Sequence, residues 1–541
     1  MAELIQKQDT LNEGRVKINA AITDAEQAKV TADGADTKAT QALANSESTQ
    51  TQLDTIVING DSSVEAAQAR VDEKGVGHTT LKDRIDDGFT KVASQLNDKA
   101  NSQFESVIIK VPSDFSNISE AISKMSEFKV KRGVVIEVLI ESEYKPTTPI
   151  KLYDGDFSHF RISSEDEEVF LSSEFPNDSF LIGVNAQMPI INTLFNGGGY
   201  CSYGIAVHHI SKIKINEGCG FKHAGRDNLV ARYGGIAVAN YGVFTHGSQD
   251  NVDPTLGDTY AGITAWGGVI YAHGADASHS LKYGARAAHG GVLHFRDGIS
   301  KNCGSHGIRA SNAGTVDCRG ANMDDAGNYG IYALAGSTIN AYDASALNAV
   351  NGGVVASQNS RIDARNVDVS GSLIGVEARM GSTINFTEGV AREIAGDFCI
   401  QATQASTINA NLSRISGGYD GIVSDLGSVI NCNGAQVNRA IKRGLRAENN
   451  SAINASNSNI QFTGKSGDNN AFGIYSISGS RINVGGANVV QSSGNDLRVN
   501  NYGVITANKC KTTKSTSDTP HLDDVNVVNF NTFARIGMVF N

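Results

Sequence analysis

The chain has 541 residues, with 46 Lys and Arg against 57 Asp and Glu for a net charge of -11, and it contains 58 Gly, seven Pro and seven Cys. That acidic balance, with no clustered run of Lys and Arg, excludes nucleic acid as the main partner, and no apolar run reaches the length of about eighteen residues that a helical membrane span requires. The Cys, at 201, 219, 303, 318, 399, 432 and 510, form no CxxC pair, so neither a zinc site nor a disulfide framework is signalled; they read as small core residues, and no metal or other cofactor is expected.

The first twenty residues carry Glu3, Lys7, Asp9, Glu13 and Arg15 and lack the apolar stretch of a secretory signal. The expectation is a soluble protein that reaches any site outside a cell by another route. Across residues 1–58, Leu4, Leu11, Ile18, Ala25, Ala32, Ala39 and Leu53 keep a seven-residue period interrupted by Ser46, and Ala21, Ala28, Ala35, Ala42 and Ile56 add a seam three residues later. This spacing predicts an α-helical coiled-coil stem. A helix so poor in large apolar residues is marginal alone and gains its stability by assembling with copies of itself.

Residues 59–103 read as a helical linker or attachment segment. They contain Ala69-Arg70-Val71-Asp72, then a Gly, then Thr80-Leu81-Lys82-Asp83-Arg84-Ile85-Asp86. This stretch resembles the linker common in tail-fibre and baseplate proteins of phages and prophages of Gram-positive bacteria, where it precedes a host-facing module.

Residues 104–200 contain two strand-like runs, 106–111 and 133–140, around a segment in which Ile118, Ala121, Ile122 and Met125 fall at helical spacing. Asn117 or Ser116 suits the N-cap, and Glu120 stands three residues after Asn117, the pattern of a capped amphipathic helix. The phrase Asp114-Phe115, Ile118, Ala121-Ile122 followed by a strand resembles the N-terminal cap of pectate-lyase-like and pectin-methylesterase-like β-helices. There the helix covers an end that would otherwise expose core and unpaired edges.

Residues 201–510 are dominated by a repeat. A Gly-apolar pair is followed eight residues later by apolar-Asn, as in Gly307-Ile308 with Val316-Asp317, Gly330-Ile331 with Ile339-Asn340, Gly375-Val376 with Ile384-Asn385, and Gly421-Ile422 with Ile430-Asn431. The second member falls at 316, 339, 362, 384, 408, 430, 453, 482 and 505, so most steps are 22 to 24 residues. Within each phrase apolar and polar residues alternate with the two-residue period of a half-buried strand. About three short strands per step, stacked at roughly 4.8 Å per layer, make an all-β solenoid: a right-handed, single-stranded, parallel β-helix of pectate-lyase-like type with an Ile, Val, Leu and Ala interior. Gly, Ser and Asn suit its corners, where positive φ or side chains that bond the backbone are needed. Residues 511–541 return to strand character after a polar loop and read as a C-terminal cap.

Equivalent positions stack into columns. The residue after the second apolar gives Asp317, Asn340, Asp363, Asn385, Asn409, Asn431, Asn454 and Asn483, and stacked amides bonded along the axis are the expected role of the Asn members. Asp317 and Asp363 lie two layers apart, roughly 9 to 10 Å, close to the separation of about 6.5 to 9.5 Å in inverting glycosidases. They are the candidate catalytic acids together with Glu377, with Asp420 and Asp425 as further acids. Nine of the twelve His fall between 208 and 306, beside the only Trp and several Tyr. Aromatic faces with polar neighbours suit sugars, and Trp266, Tyr271, His273, His294, Arg309 and Tyr332 are the candidate glycan-binding residues. The alternative is that these rings fill wide turns or a subunit interface. No fixed metal-binding spacing occurs among the His.

The heptad stem, the linker phrase and the capped β-helix together resemble phage tail spikes and tail fibres. That resemblance implies a homotrimeric virion protein, joined to baseplate or tail through its N-terminal region, that recognises a host-surface glycan such as teichoic acid, capsule or other wall polysaccharide. A polysaccharide depolymerase, hydrolase or lyase, on the same body is the alternative, and a purely structural spacer is a third reading.

Overall fold

The computed structural model describes residues 38–48, 106–127, 133–247, 260–461, 471–490, 495–507 and 510–512, together with Thr23 and Gln27. The chain divides into two compact units, Met1–Glu105 and Ser106–Asn541. In the first, residues 38–48 are helical and their side chains are exposed. The rest of the stem and the linker expected at 59–103 lie outside the described residues, as does nearly all of the C-terminal cap expected at 511–541.

The second unit is a parallel β-solenoid of right-handed type. Each turn contributes one strand to a first face, one to a second and a shorter element to a third. The first face is a 15-stranded sheet running from Ile150–Tyr153 to Asn495–Val499, the second face belongs to an 18-stranded sheet that begins at Val107–Val111, and every strand pairing is parallel. The pairings run through residue 200 without a break, because Gln187–Asn196 pairs directly with Lys212–Ile215. The expected periodicity is therefore one coil per step: Val316 pairs in register with Ile339, Ile339 with Ile362, and Ile362 with Ile384.

Alternation decides which side chains enter the core. In Tyr329–Leu334 the inward Ile331 and Ala333 are fully buried while Tyr332 points away. Each fully buried Ile contributes about 1.5 to 3 kcal/mol relative to exposure, repeated coil after coil. At the lower end the helix Ile118–Met125 follows Asn117, whose side chain accepts the Glu120 N–H at 2.9 Å, and Glu120 in turn accepts from Ser116. Its buried Ile118, Ala121 and Ile122 join the same core as Val111, Ile136 and Val138.

The Gly of the repeat phrase has a reason other than the corner conformation expected from sequence. A Cβ at Gly330 would lie 2.5 Å from the Ala346 Cβ, and one at Gly421 2.6 Å from the Gly444 carbonyl oxygen of the next coil. These Gly are sites of close approach inside strands. Left-handed corners are taken, as expected, by other Gly such as Gly320, Gly336, Gly371, Gly381 and Gly427 and by Asn312, Asp343, Asn359, Asn366 and Asn450 among others, residue types that tolerate that conformation. Buried Ser forms a second axial ladder: Ser337, Ser360, Ser382, Ser406 and Ser428 each donate the backbone N–H to the hydroxyl of the Ser one coil above, at 3.0 to 3.2 Å. The Asn amide ladder occurs where expected, from Asn431 to Asn409 at 2.9 Å and from Asn454 to Asn431 at 2.8 Å.

Candidate functional site

The outward surface of the first face carries the most concentrated polar chemistry. Register defines one column there: Val230, Thr264, Arg286, Arg309, Tyr332, Val355, Glu377, Gln401, Val423, Arg446, Tyr475 and Arg498. Although it points away from the solenoid interior, much of it is withdrawn from solvent. Val230, Val355 and Val423 are buried yet lie outside the continuous core, Thr264 is fully buried and Arg286 is 1% exposed. The column is thus largely covered by flanking side chains.

Its N-terminal part joins cations to aromatic rings. The Arg232 guanidinium lies 4.7 Å from the Tyr203 ring centroid and donates to the Tyr203 hydroxyl at 2.8 Å, and Arg226 donates to the same hydroxyl at 3.0 Å. Arg286 lies 5.1 Å from the Trp266 centroid and 5.5 Å from that of Tyr283, Arg309 lies 4.9 Å from the Tyr283 centroid and donates to its hydroxyl, and Lys282 caps Tyr260 at 4.7 Å. Beside them Asp227 is completely buried. One carboxylate oxygen accepts the Ala261 N–H at 2.8 Å and the other has no hydrogen-bond partner. Burial pushes this carboxyl above the usual range, against the pull of Arg232 and Arg286. Burial, Arg232 and His209 drive His208 down to about 4, so its imidazole is neutral at physiological pH.

Further along, Tyr329, Tyr332 and His306 form a ring cluster with centroids 5.0 to 5.3 Å apart. Glu377 follows, 8% exposed, with Arg379 3.4 Å away. Burial raises its carboxyl above the ordinary value, and the Arg379 charge only partly offsets that. Further toward the C-terminus, Asp420 is held between Arg443 at 2.7 Å and Arg446 at 3.2 Å. Arg498 lies 4.6 Å from the Phe472 ring centroid.

The residues expected from sequence separate onto two faces. Arg309, Tyr332 and Glu377 stand in the first-face column, and Trp266 lies two residues beyond Thr264 on the same sheet. Tyr271, His294, Asp317 and Asp363 stand in one column of the second face. There Tyr271 and His294 stack at 4.8 Å with an interplanar angle of 7°, and His273 packs edge-on against Tyr241 at 5.2 Å. Asp317 and Asp363 therefore share a column but are not brought to Glu377. Each is neutralised locally: Asp317 by Arg296 at 2.7 Å and Arg319 at 2.8 Å, Asp363 by Arg365 at 2.8 Å. Burial would raise the Asp317 carboxyl, but Arg319 and Arg296 outweigh it and hold it below the usual range. Asp425 accepts the Leu426 N–H and the Asn449 amide, a turn-stabilising role.

Most of the clustered His are turn residues. His209, His223, His246, His279 and His289 all have φ between 51° and 58°, and His223, His246 and His279 stack with centroids 4.5 and 5.0 Å apart. Among the described residues no group of three His, Cys, Asp or Glu is placed to hold a metal ion. Tyr283 belongs to the aromatic cluster noted in the sequence, whereas Asp227, Arg232, Arg286 and Tyr203 did not stand out there. The one available signal was register, since Arg286 sits one coil below Arg309 in the column.

Fold and site together define a parallel β-solenoid with an arginine- and aromatic-rich column along one face. No protein-family model matches the sequence, and no curated protein matches it. Among solved structures the chain is similar to the periplasmic alginate epimerase AlgG, at 13% identity over 75% of this chain and 85% of that one, with a TM-score of 0.27. It is also similar to the Agl-KA catalytic domain, at 10% identity over 75% and 68%, with a TM-score of 0.23. Likenesses at this level assign no activity.

Proposed function

We propose that the protein is a glycan-recognition body of the phage tail-spike or tail-fibre kind, which adsorbs to a host cell-surface polysaccharide through the arginine- and aromatic-rich part of the first face. In this reading it is a homotrimer assembled through the N-terminal stem and joined there to the virion. The observation that supports it most is the alternation of guanidinium groups and aromatic rings from Tyr203 to Tyr332. Rings offer flat apolar surface to sugar faces, and the guanidinium and hydroxyl groups between them bond sugar hydroxyls or charged substituents. Pairing of Arg232 with Tyr203 and of Arg309 with Tyr283 fixes these groups before a ligand arrives, which lowers the ordering cost of binding.

The test is adsorption of the purified full chain to walls and capsules of candidate hosts. Tyr283→Ala and Arg309→Ala variants should lose binding at least tenfold while keeping the far-UV spectrum. Unchanged adsorption by both variants would remove the first face from recognition.

Glu377 favours a second reading, depolymerisation of the bound glycan. A carboxyl whose hold on its proton is strengthened by burial, in the same column, suits a general acid at a glycosidic oxygen. New reducing ends or unsaturated sugars appearing on incubation with the polymer, and absent with Glu377→Gln, would establish it. Their absence with polymer that does adsorb would leave recognition alone.

A further inference from the structure

The third face changes character partway along the solenoid. From Gly220 to Val390 successive coils touch there through single bridges, namely Gly220 with Val243, Val243 with Asp276, and onward through Ile299, Asn322, Ser345 and Asp368. From Val390–Ile394 it widens into paired strands, Arg414–Gly417, Gln436–Asn438 and Asn459–Gln461. The transition contains an irregularity: Ala391 pairs with Ile415, but Ile394 pairs with Gly417, so the first strand holds one residue more than its partner in that interval. Within it Arg392 and Glu393 are exposed, and Glu393 has a φ of 55°. Bulges of this kind re-aim side chains away from the regular ladder.

The bulge borders a groove of about 430 Å³. Three guanidinium groups line it, Arg392, Arg414 and Arg439, from three consecutive coils, with the amides of Gln436, Asn438 and Gln461 between and above them. Elsewhere on the solenoid several arginines are held by acids, Arg296, Arg319, Arg365, Arg443 and Arg446 among them. Among the described residues none of the three groove arginines makes an ion pair or a side-chain hydrogen bond. Glu393 is the single acid in the lining, so the groove carries a local charge of 3 − 1 = +2 within a chain whose net charge is -11. In addition the Asn438 Oδ1 is buried without a hydrogen-bond partner, a state that native structures normally resolve with a ligand or water.

We infer that this groove is a second binding site, which takes an acidic oligosaccharide segment. Its arginines pair with carboxylate or phosphate groups, and its amides bond the intervening hydroxyls. The chemistry follows from the donor set: guanidinium forks match the planar oxygens of carboxylate and phosphate. The amides supply both donors and acceptors for hydroxyl groups. Coils are spaced by roughly 4.8 Å, so the three cations meet a chain whose charges recur at about 5 or 10 Å. The exposed position of the arginines makes binding weak at each site and sensitive to salt. Repetition of the groove in an assembly raises the apparent affinity. The site lies on a different face from the first-face column, so each stands if the other fails.

The experiment is calorimetric titration of the full chain, at 20 and 150 mM NaCl, with three probes: oligogalacturonate as the carboxylate form, oligo(glycerol phosphate) as the phosphodiester form, and maltohexaose as the neutral control. Binding of either anionic probe, weakened by salt and reduced at least tenfold in an Arg414→Gln, Arg439→Gln double variant but retained in Tyr283→Ala, supports the site and identifies its charged group. All the substituted side chains of the double variant are exposed, so folding is preserved, and far-UV circular dichroism checks it. Failure of both anionic probes, equal binding of maltohexaose, or affinity unchanged in the double variant overturns the inference. So does light scattering that shows the double variant dissociating an oligomer formed by the wild type, because the groove would then be a contact between copies.

Discussion

The stacking of coils is measurable as an energy of coupling between neighbours. Ile430 and Ile453 are both fully buried and pair in register one coil apart, whereas Ile339 lies four coils below Ile430 in the same column. Truncation of one buried Ile to Ala costs about 2 to 5 kcal/mol, as lost burial plus the cavity left behind. In Ile430→Ala, Ile453→Ala the second truncation removes contacts that the first has already emptied, so the pair should deviate from additivity by roughly 1 kcal/mol. Ile430→Ala with Ile339→Ala, which share no contact, should add to within about 0.5 kcal/mol. Urea unfolding followed by far-UV circular dichroism gives the four stabilities of each cycle. Hydrogen exchange of Val429–Asn431 and Ala452–Asn454 verifies that the same coils are affected. Equal coupling in both cycles, or none in the adjacent one, would refute the coil-on-coil packing.

The buried acids give predictions of opposite kind. Because burial raises Glu377 in the folded state, its contribution is most favourable below the ordinary value of 4.5 and is lost as pH rises through the folded value; Glu377→Gln should therefore gain stability relative to wild type as pH rises from 4 to 8, measured as the difference in urea midpoints. Removal of Asp420 strands Arg443 and Arg446, and since these are 16% and 26% exposed the usual penalty of about 3 to 5 kcal/mol for breaking a buried pair should fall to about 2 to 4 kcal/mol in Asp420→Ala, read from the same unfolding curves. All seven Cys are free and five are buried, with Cys201 and Cys432 pushed up to about 12 and Cys303 to about 11 by burial. A thiol reagent at pH 8 should thus label at most two groups rapidly in the native protein and all seven in urea.

Periodicity carried most of the fold. The eight-residue offset between Ile331 and Ile339, repeated at each step, is the path from one face to the next around a corner, and it is visible because both residues must be apolar to share the core. The cap helix was equally legible from Asn117, Glu120 and the Ile118, Ala121, Ile122 spacing. The role of the repeat Gly was not, because only the packed neighbour coil reveals that a Cβ at Gly421 would meet the Gly444 carbonyl. The Ser ladder was hidden for the same reason: a Ser that bonds the backbone locally and one that bonds the coil beneath look alike in sequence. Among site residues, Arg309, Tyr332 and Glu377 shared a column that could be counted. Asp227 and Arg232 lie where the repeat is irregular, so their approach to Arg286 depended on a register that no count supplied.

Trp266 provides the most direct test of glycan recognition on the first face, because it is the only Trp in the chain and lies against Arg286 on the same sheet. Titration with fragments of a host polysaccharide to which the protein adsorbs should change its fluorescence saturably, with a midpoint matching adsorption and with the response abolished in Arg309→Ala. Adsorption that saturates while the Trp266 emission stays constant in intensity and wavelength would contradict the account and place recognition elsewhere on the solenoid.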